Sequence, residues 1–243
     1  MQKLLSKLRQ GINFYSLIKD GDKIAVGVSG GKDSMLLLTL LAAYQKFSPE
    51  KFELIAITLN PGSGCDFTPL HKYCADLEVE YHEIPTDIFE IVFNIRQEKN
   101  PCSLCAKLRR GALNDHAKRL GCNKIALGHH MDDAIETLLL SMFYEGRINC
   151  FQPKTYLDEA GVTLIRPMVY IEERDAKSFA KRHNLPIIDN PCPANGHTKR
   201  EEVKTLIGSL KKDIPSIKKN LFGSLTNTDQ LSIWDRDKIN QVD

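Results

Sequence analysis

Six consecutive residues, Ser29-Gly30-Gly31-Lys32-Asp33-Ser34, follow an apolar, β-branched run and open a helical pattern. Paired glycines let a backbone turn tightly and approach a ligand closely. The helix start that follows presents unpaired N–H groups and the positive end of a dipole. Lys32 adds a full positive charge, and Ser29 and Ser34 add hydroxyls. Such a loop suits the phosphates of a nucleotide. It is not a Walker A loop, because Val26 stands where the first glycine is required and Asp33 follows the lysine. Nor is it a Rossmann fingerprint, whose glycines are spaced. A carboxylate beside phosphates would repel them, so Asp33 points to a hydrated Mg²⁺ between the two. A plain glycine turn capping a helix would explain the glycines but not Lys32 and Asp33 together.

A second polar segment, Gly128-His129-His130-Met131-Asp132-Asp133, also lies between a short apolar run and a helical pattern. Gly128, His129, Asp132 and Asp133 are candidates to complete the nucleotide and Mg²⁺ site. Either aspartate could also cap the helix. His130 reads equally well as a packed histidine.

Cysteines form the third group. Cys102 and Cys105 sit three apart at a predicted helix start, which puts both sulfurs on one face. A redox dithiol is one reading, although no early strand precedes the pair as in thioredoxin-like folds. A structural zinc needs four ligands, and no second C-x-x-C exists. With Cys192 folding back, three cysteines suit an iron–sulfur cluster with one open iron. Cys65, Cys74, Cys122 and Cys150 are isolated and read as small packed residues, with Cys65 nearest the expected active edge.

These groups need a frame that brings them together. Apolar runs at residues 23–28, 53–59, 79–84, 124–127 and 163–166 alternate with helical patterns at 34–44, 67–77, 86–95, 103–120, 133–144 and 172–183. That alternation predicts an α/β fold, a Rossmann-like doubly wound parallel sheet of about five strands, with ligands at the strands' carboxyl ends. Residues 1–189 form the core domain with an N-terminal helix. Residues 190–243 form a cysteine-bearing junction and a basic helical C-terminal extension, with helices at 199–210 and 216–225.

The first motif, S-G-G-x-D-S, resembles the PP-loop of the N-type ATP pyrophosphatases, which cleave ATP between the α and β phosphates and adenylate a carbonyl oxygen. The run P-C-S-L-C-A-K-L-R-R-G, then A-L-G-H-H-x-D-D, then I-R-P, resembles the tRNA 2-thiocytidine synthetase (TtcA) family over most of residues 20–195. The resemblance implies ATP, Mg²⁺ and a [4Fe–4S] cluster as cofactors, with the cluster on Cys102, Cys105 and Cys192. It implies that Ser29, Gly30, Gly31, Lys32 and Ser34 hold phosphates and that Asp33 with Asp132 or Asp133 positions Mg²⁺. Cytosine C2 is a poor electrophile, so adenylation of its oxygen would precede attack by sulfur. Two other readings are a lysidine-synthetase-like ligase with an amine nucleophile, and a non-catalytic nucleotide-binding redox sensor.

Among 243 residues, 33 Lys and Arg oppose 31 Asp and Glu, which excludes a histone-like polycation and a disordered acidic chain. The charge is nonetheless uneven. Residues 96–119 hold seven basic against two acidic residues, and residues 199–219 seven against three. By themselves such runs read more readily as solvated helix faces; with the family resemblance, Lys107, Arg109, Arg110, Lys211 and Lys212 are candidate RNA contacts, and tRNA is the partner that the resemblance implies. A sulfur donor, either a cysteine desulfurase or free sulfide, is the other implied partner, and a homodimer is compatible. No apolar run is long enough to cross a bilayer, and the basic N-terminal segment lacks a signal peptide's apolar stretch. The expected location is the cytoplasm, and the odd count of seven cysteines fits poorly with a disulfide framework.

Overall fold

A computed structural model of the chain describes residues 1–97, 101–188 and 199–227. The chain divides into two compact units, one drawn from Met1–Ala134 and Phe151–Thr198, the other from Ile135–Cys150 and Lys199–Asp243. The domain boundary expected at residue 190 falls outside the described residues.

The first unit is built on one sheet. Its strands are β1 (Lys23–Gly27), β2 (Glu53–Asn60), β3 (Glu80–Pro85), β4 (Lys124–Ala126), β5 (Lys154–Leu157) and β6 (Val162–Ile165). They lie in the order β3-β2-β1-β4-β6-β5. All neighbours are parallel except β5, which pairs antiparallel with β6. The five strands read from the sequence are present. The sixth escaped notice because its four residues alternate between exposed and half-buried positions on a sheet edge, with no apolar run to mark them.

Helices α1 (Gln2–Tyr15), α2 (Lys32–Gln45), α3 (Thr68–Asp76), α4 (Pro101–Arg119) and α6 (Glu173–Arg182) belong to this unit. α5 (Met131–Leu140) begins in it. Strand residues alternate between the two faces. Ile24, Val26, Leu54 and Ala56 join one core with α1, α2, α3 and α6. Ala25, Ile55, Ile57 and Ile125 join the other with α4. This is a doubly wound arrangement. α2 packs against α1, α6 and β1, so it has no solvent face to speak of. Met35, Leu36, Leu37, Leu38, Leu40 and Leu41 are all fully buried, which explains why its sequence is apolar around its circumference.

The amino ends of β1 and β4 are tied by polar groups. Asp22, just before β1, accepts hydrogen bonds from the side chains of Lys124 and Asn123 and from the Lys19 amide. Lys124 also donates to the Leu17 carbonyl, and Asn123 accepts the Lys23 amide. Asp22 and Lys124 are both buried, each in the other's company.

The helix expected over 86–95 proves to be a short π-helical turn, Glu90–Ile95. The one expected over 133–144 is α5 followed by a π-helical turn, Ser141–Glu145. In the second unit α7 (Lys199–Leu210) and α8 (Ile217–Thr226) match the helices expected at 199–210 and 216–225. Within that unit Arg200 pairs with Glu136 at 3.0 Å.

Candidate nucleotide site at the carboxyl edge

The strand order reverses between β1 and β4, the topological switch point where open α/β sheets bind ligands. The six-residue loop leaves β1 there and the acidic loop leaves β4. Gly30 has φ +80°, a left-handed conformation that a side chain would strain. Gly31 is the N-cap of α2. The loop is braced from within. Ser34 Oγ donates to the Gly31 carbonyl at 2.9 Å, accepts the Ser29 amide at 3.1 Å and lies 3.2 Å from Ser29 Oγ. Ser34 is buried and its hydroxyl is engaged within the loop, so it shapes the loop.

Gly128 brings the second loop into backbone contact with the first. A Cβ placed there would stand 3.0 Å from the Asp33 carbonyl carbon and oxygen and 3.1 Å from the Ser34 amide nitrogen. A side chain there would force the backbone of the first loop to give way by a few tenths of an ångström. His130 is buried between carboxylates, with Nδ1 3.2 Å from Asp133 and Nε2 3.7 Å from Asp33. Asp133 accepts the His130 amide at 2.9 Å, which closes the turn that starts α5. Asp132 is buried and accepts the Glu173 amide at 2.7 Å, fastening α6 to this loop. His129 packs tilted against the Phe151 ring at 5.0 Å, and the Arg166 guanidinium lies over that same ring at 4.9 Å.

Lys32 lies 2.6 Å from Asp33 and 3.4 Å from Glu173. Burial works against its charge, but Asp33 and then Glu173 outweigh it and hold the ammonium above its ordinary range. Asp33 Oδ1 is buried and makes no hydrogen bond. A carboxylate oxygen in that condition suits a cation that draws its other ligands from phosphate and water; among the described residues no three His, Cys, Asp or Glu side chains are grouped to hold a metal ion by themselves. Sequence reasoning left His130 undecided and missed Glu173. A histidine's neighbours across the sheet carry no sequence signal. Glu173 sits in an acidic helix start that reads as ordinary capping.

The sulfurs lie toward the same side of the sheet. α4 returns from β3 to the start of β4, so its first turn lies on the carboxyl side. Leu113 of α4 comes 3.1 Å from a Cβ built on Gly27, at the end of β1. Cys102 and Cys105 precede Leu113 by about 16 and 12 Å of helical rise toward the carboxyl edge. Cys102 is exposed and Cys105 half-buried. Two thiols three apart on one helical turn fit a soft metal centre. Cys192 lies outside the described residues. The chain approaches it from the phosphate loop, because the Ile188 amide donates to the Gly30 carbonyl at 3.0 Å. Lys107 and Arg110 are exposed on α4, and Arg109 half-buried. Lys211 and Lys212 are exposed after α7 in the second unit.

Comparison with known proteins agrees with this geometry. Residues 2–209 match the PP-loop domain family. The chain is 39% identical over 233 residues to a tRNA-cytidine(32) 2-sulfurtransferase of Geobacter sulfurreducens, covering 93% of this chain and 90% of that one. It is 37% identical over 251 residues to the enzyme of that name from Shewanella oneidensis, covering 100% and 80%. Among solved structures, the U34-tRNA thiolase NcsA from Methanococcus maripaludis, with its [4Fe–4S] cluster, superposes with a TM-score of 0.76. That pair is 26% identical, with 95% of this chain and 79% of the other covered. The chain belongs to the PP-loop domain family and, within it, to the tRNA-cytidine(32) 2-sulfurtransferase family.

Proposed function

We propose that the protein is an ATP-dependent tRNA sulfurtransferase that replaces the C2 oxygen of an anticodon-loop cytidine with sulfur. The observation that carries this reading is the direct packing of the second loop's Gly128 on the phosphate loop, on the side of the sheet toward which the start of α4, with Cys102 and Cys105, points.

The C2 oxygen attacks the α-phosphorus of ATP, and pyrophosphate leaves. Hydrosulfide-level sulfur then adds at C2, AMP departs with the oxygen, and loss of the S–H proton leaves the thiocarbonyl. Gly30, Gly31 and the start of α2 hold the phosphates with N–H groups, and Lys32 offsets their charge. Ser29 and Ser34 keep the loop in shape. Asp33 and Asp133 would hold Mg²⁺, which offsets charge on the phosphates and the departing pyrophosphate. Asp132 keeps α6 fastened to the second loop, and His129 and His130 line that loop. Cys102, Cys105 and Cys192 would hold a [4Fe–4S] cluster, which supplies an iron site able to carry sulfur.

Support for the RNA substrate comes from relatives named for tRNA thiolation and from Lys107, Arg109 and Arg110 on the cysteine helix. A target base in a single-stranded loop is unstacked at small cost. Sulfur comes from a cysteine desulfurase or free sulfide, and the protein works in the cytoplasm as a monomer or homodimer. No helix among the described residues is long and apolar enough to cross a membrane. The test is mass spectrometry of tRNA nucleosides from cells lacking the protein. Loss of 2-thiocytidine, restored by the wild-type gene, is expected. An unchanged thionucleoside profile would overturn the reading.

A further inference from the structure

Charge along α6 is sorted in a way that counting hides. Its acidic residues are turned toward the body of the unit: the side chains of Glu172, Glu173 and Asp175 are 23%, 11% and 19% exposed. They are already partnered there. Lys7 lies 3.1 Å from Asp175 and 3.9 Å from Glu172, and Lys32 lies 3.4 Å from Glu173. Burial tends to raise the Asp175 carboxyl, yet Lys7, then Lys3, hold it below its ordinary range. The basic residues face outward: the side chains of Arg174 and Lys177 are 66% and 55% exposed, and Lys181 and Arg182 are exposed as well. Arg174 and Lys177 reach back to Glu172 and Glu173, whereas Lys181 and Arg182 are ion-paired with no described carboxylate.

Lys177 and Lys181, one helical turn apart, line a depression of about 400 Å³ together with Lys32, Asn184 and Ile187. One wall is the phosphate loop's own Lys32, and Ile188, next to the lining Ile187, is hydrogen-bonded to Gly30. An apolar floor with lysines and an amide around it suits a phosphodiester, which needs positive charge and a hydrogen-bond donor but no base-specific contact.

We infer that the outer face of α6, with Lys177, Lys181 and Asn184 around this depression and Arg182 exposed beside them, binds the backbone phosphates of the substrate RNA next to the nucleotide site. The inference rests on the tRNA reading above and adds a surface that neither basic run in the sequence includes. RNA held there would lie against the wall that leads directly to Gly30, so the backbone would be fixed beside the loop that grips ATP.

The experiment compares the full-length wild type with Lys181→Ala/Arg182→Ala and with Lys181→Glu. It measures affinity for an in-vitro transcribed tRNA across a salt titration, and affinity for ATP. Each lost phosphate contact should lower the salt slope by about 0.7–0.9, so the double variant should lose about one to two units of slope and at least about fivefold in affinity at low salt. Lys181→Glu should bind tRNA more weakly than wild type, and Lys181→Arg should restore it. ATP affinity should stay within about twofold. Wild-type tRNA affinity and slope in both variants, with the wild type binding tRNA, would overturn this inference alone. Weakened ATP binding with unchanged tRNA binding would assign the depression to the nucleotide and overturn it too. A wild type that binds no tRNA would overturn the sulfurtransferase reading and, with it, this one.

Discussion

Asp33 holds a position with few substitutes. Its Oδ1 is buried without a hydrogen bond, its Oδ2 takes Lys32, and its carbonyl meets the backbone of the second loop at Gly128. Asp33→Asn keeps the shape and removes the charge. We expect AMP formation to fall by at least about 100-fold while the melting temperature barely moves; near-normal AMP formation would show that the cation is held elsewhere. Gly128→Ala tests the contact from the other side. An added methyl must push the two loops apart, at a cost of about 1–3 kcal/mol, so ATP affinity should drop by about 5- to 150-fold. Titration calorimetry would read it, and unchanged affinity would mean that the loops are free to separate. The glycines, Lys32 and Asp33 were legible in the sequence because they are contiguous and each needs a ligand to make sense. His130 and Glu173 were not. Their significance lies in partners brought near by β1, β4 and α6, and short-range patterns carry no trace of that.

At the scale of elements, the helix most exposed to test is α4, which carries the thiols. Anaerobic protein should hold one [4Fe–4S] cluster, and Cys102→Ala, Cys105→Ala or Cys192→Ala should each abolish iron retention and thiolation while ATP still binds. Cys122→Ala should keep both, because Cys122 is packed in the core under α4 and burial pushes its thiol up. Iron analysis and absorption spectra of the set decide the matter; stoichiometric zinc, or full iron in Cys192→Ala, would refute the ligand assignment. α3 gives a prediction of a different kind. Burial raises the Cys74 thiol from 9.0 to about 11. The folded state therefore keeps a proton that the unfolded chain gives up sooner. The resulting stability is intact below pH 9 and is lost as pH climbs through 11. Cys74→Ala should make melting temperature less steep over that window, and an identical slope would show that other groups govern alkaline unfolding. Most elements were visible as apolar runs. Edge strand β5 was not, since Tyr156 is 60% exposed and a half-wet strand resembles a loop.

For the molecule as a whole, chemistry occupies one rim of the sheet and the Asp22–Lys124 pair the other. Removing one partner, as in Lys124→Met, should cost about 3–5 kcal/mol, while Asp22→Leu/Lys124→Met together should recover much of it. Denaturant unfolding of the four proteins in a double-mutant cycle gives the coupling, and strictly additive losses would deny that the two act as a pair. The pair has a second role. β4 contributes only Lys124, Ile125 and Ala126 to its ladder with β1. A slip of one place would send Ile125 to the opposite face and shift the loop that follows by about 3.3 Å, too far for Gly128 to meet Asp33. Asp22 and Lys124 thus act as an index pin, setting the alignment of a mechanism assembled at the far end. A lesion there would surface as failed ATP cleavage in a protein whose catalytic side chains are all intact.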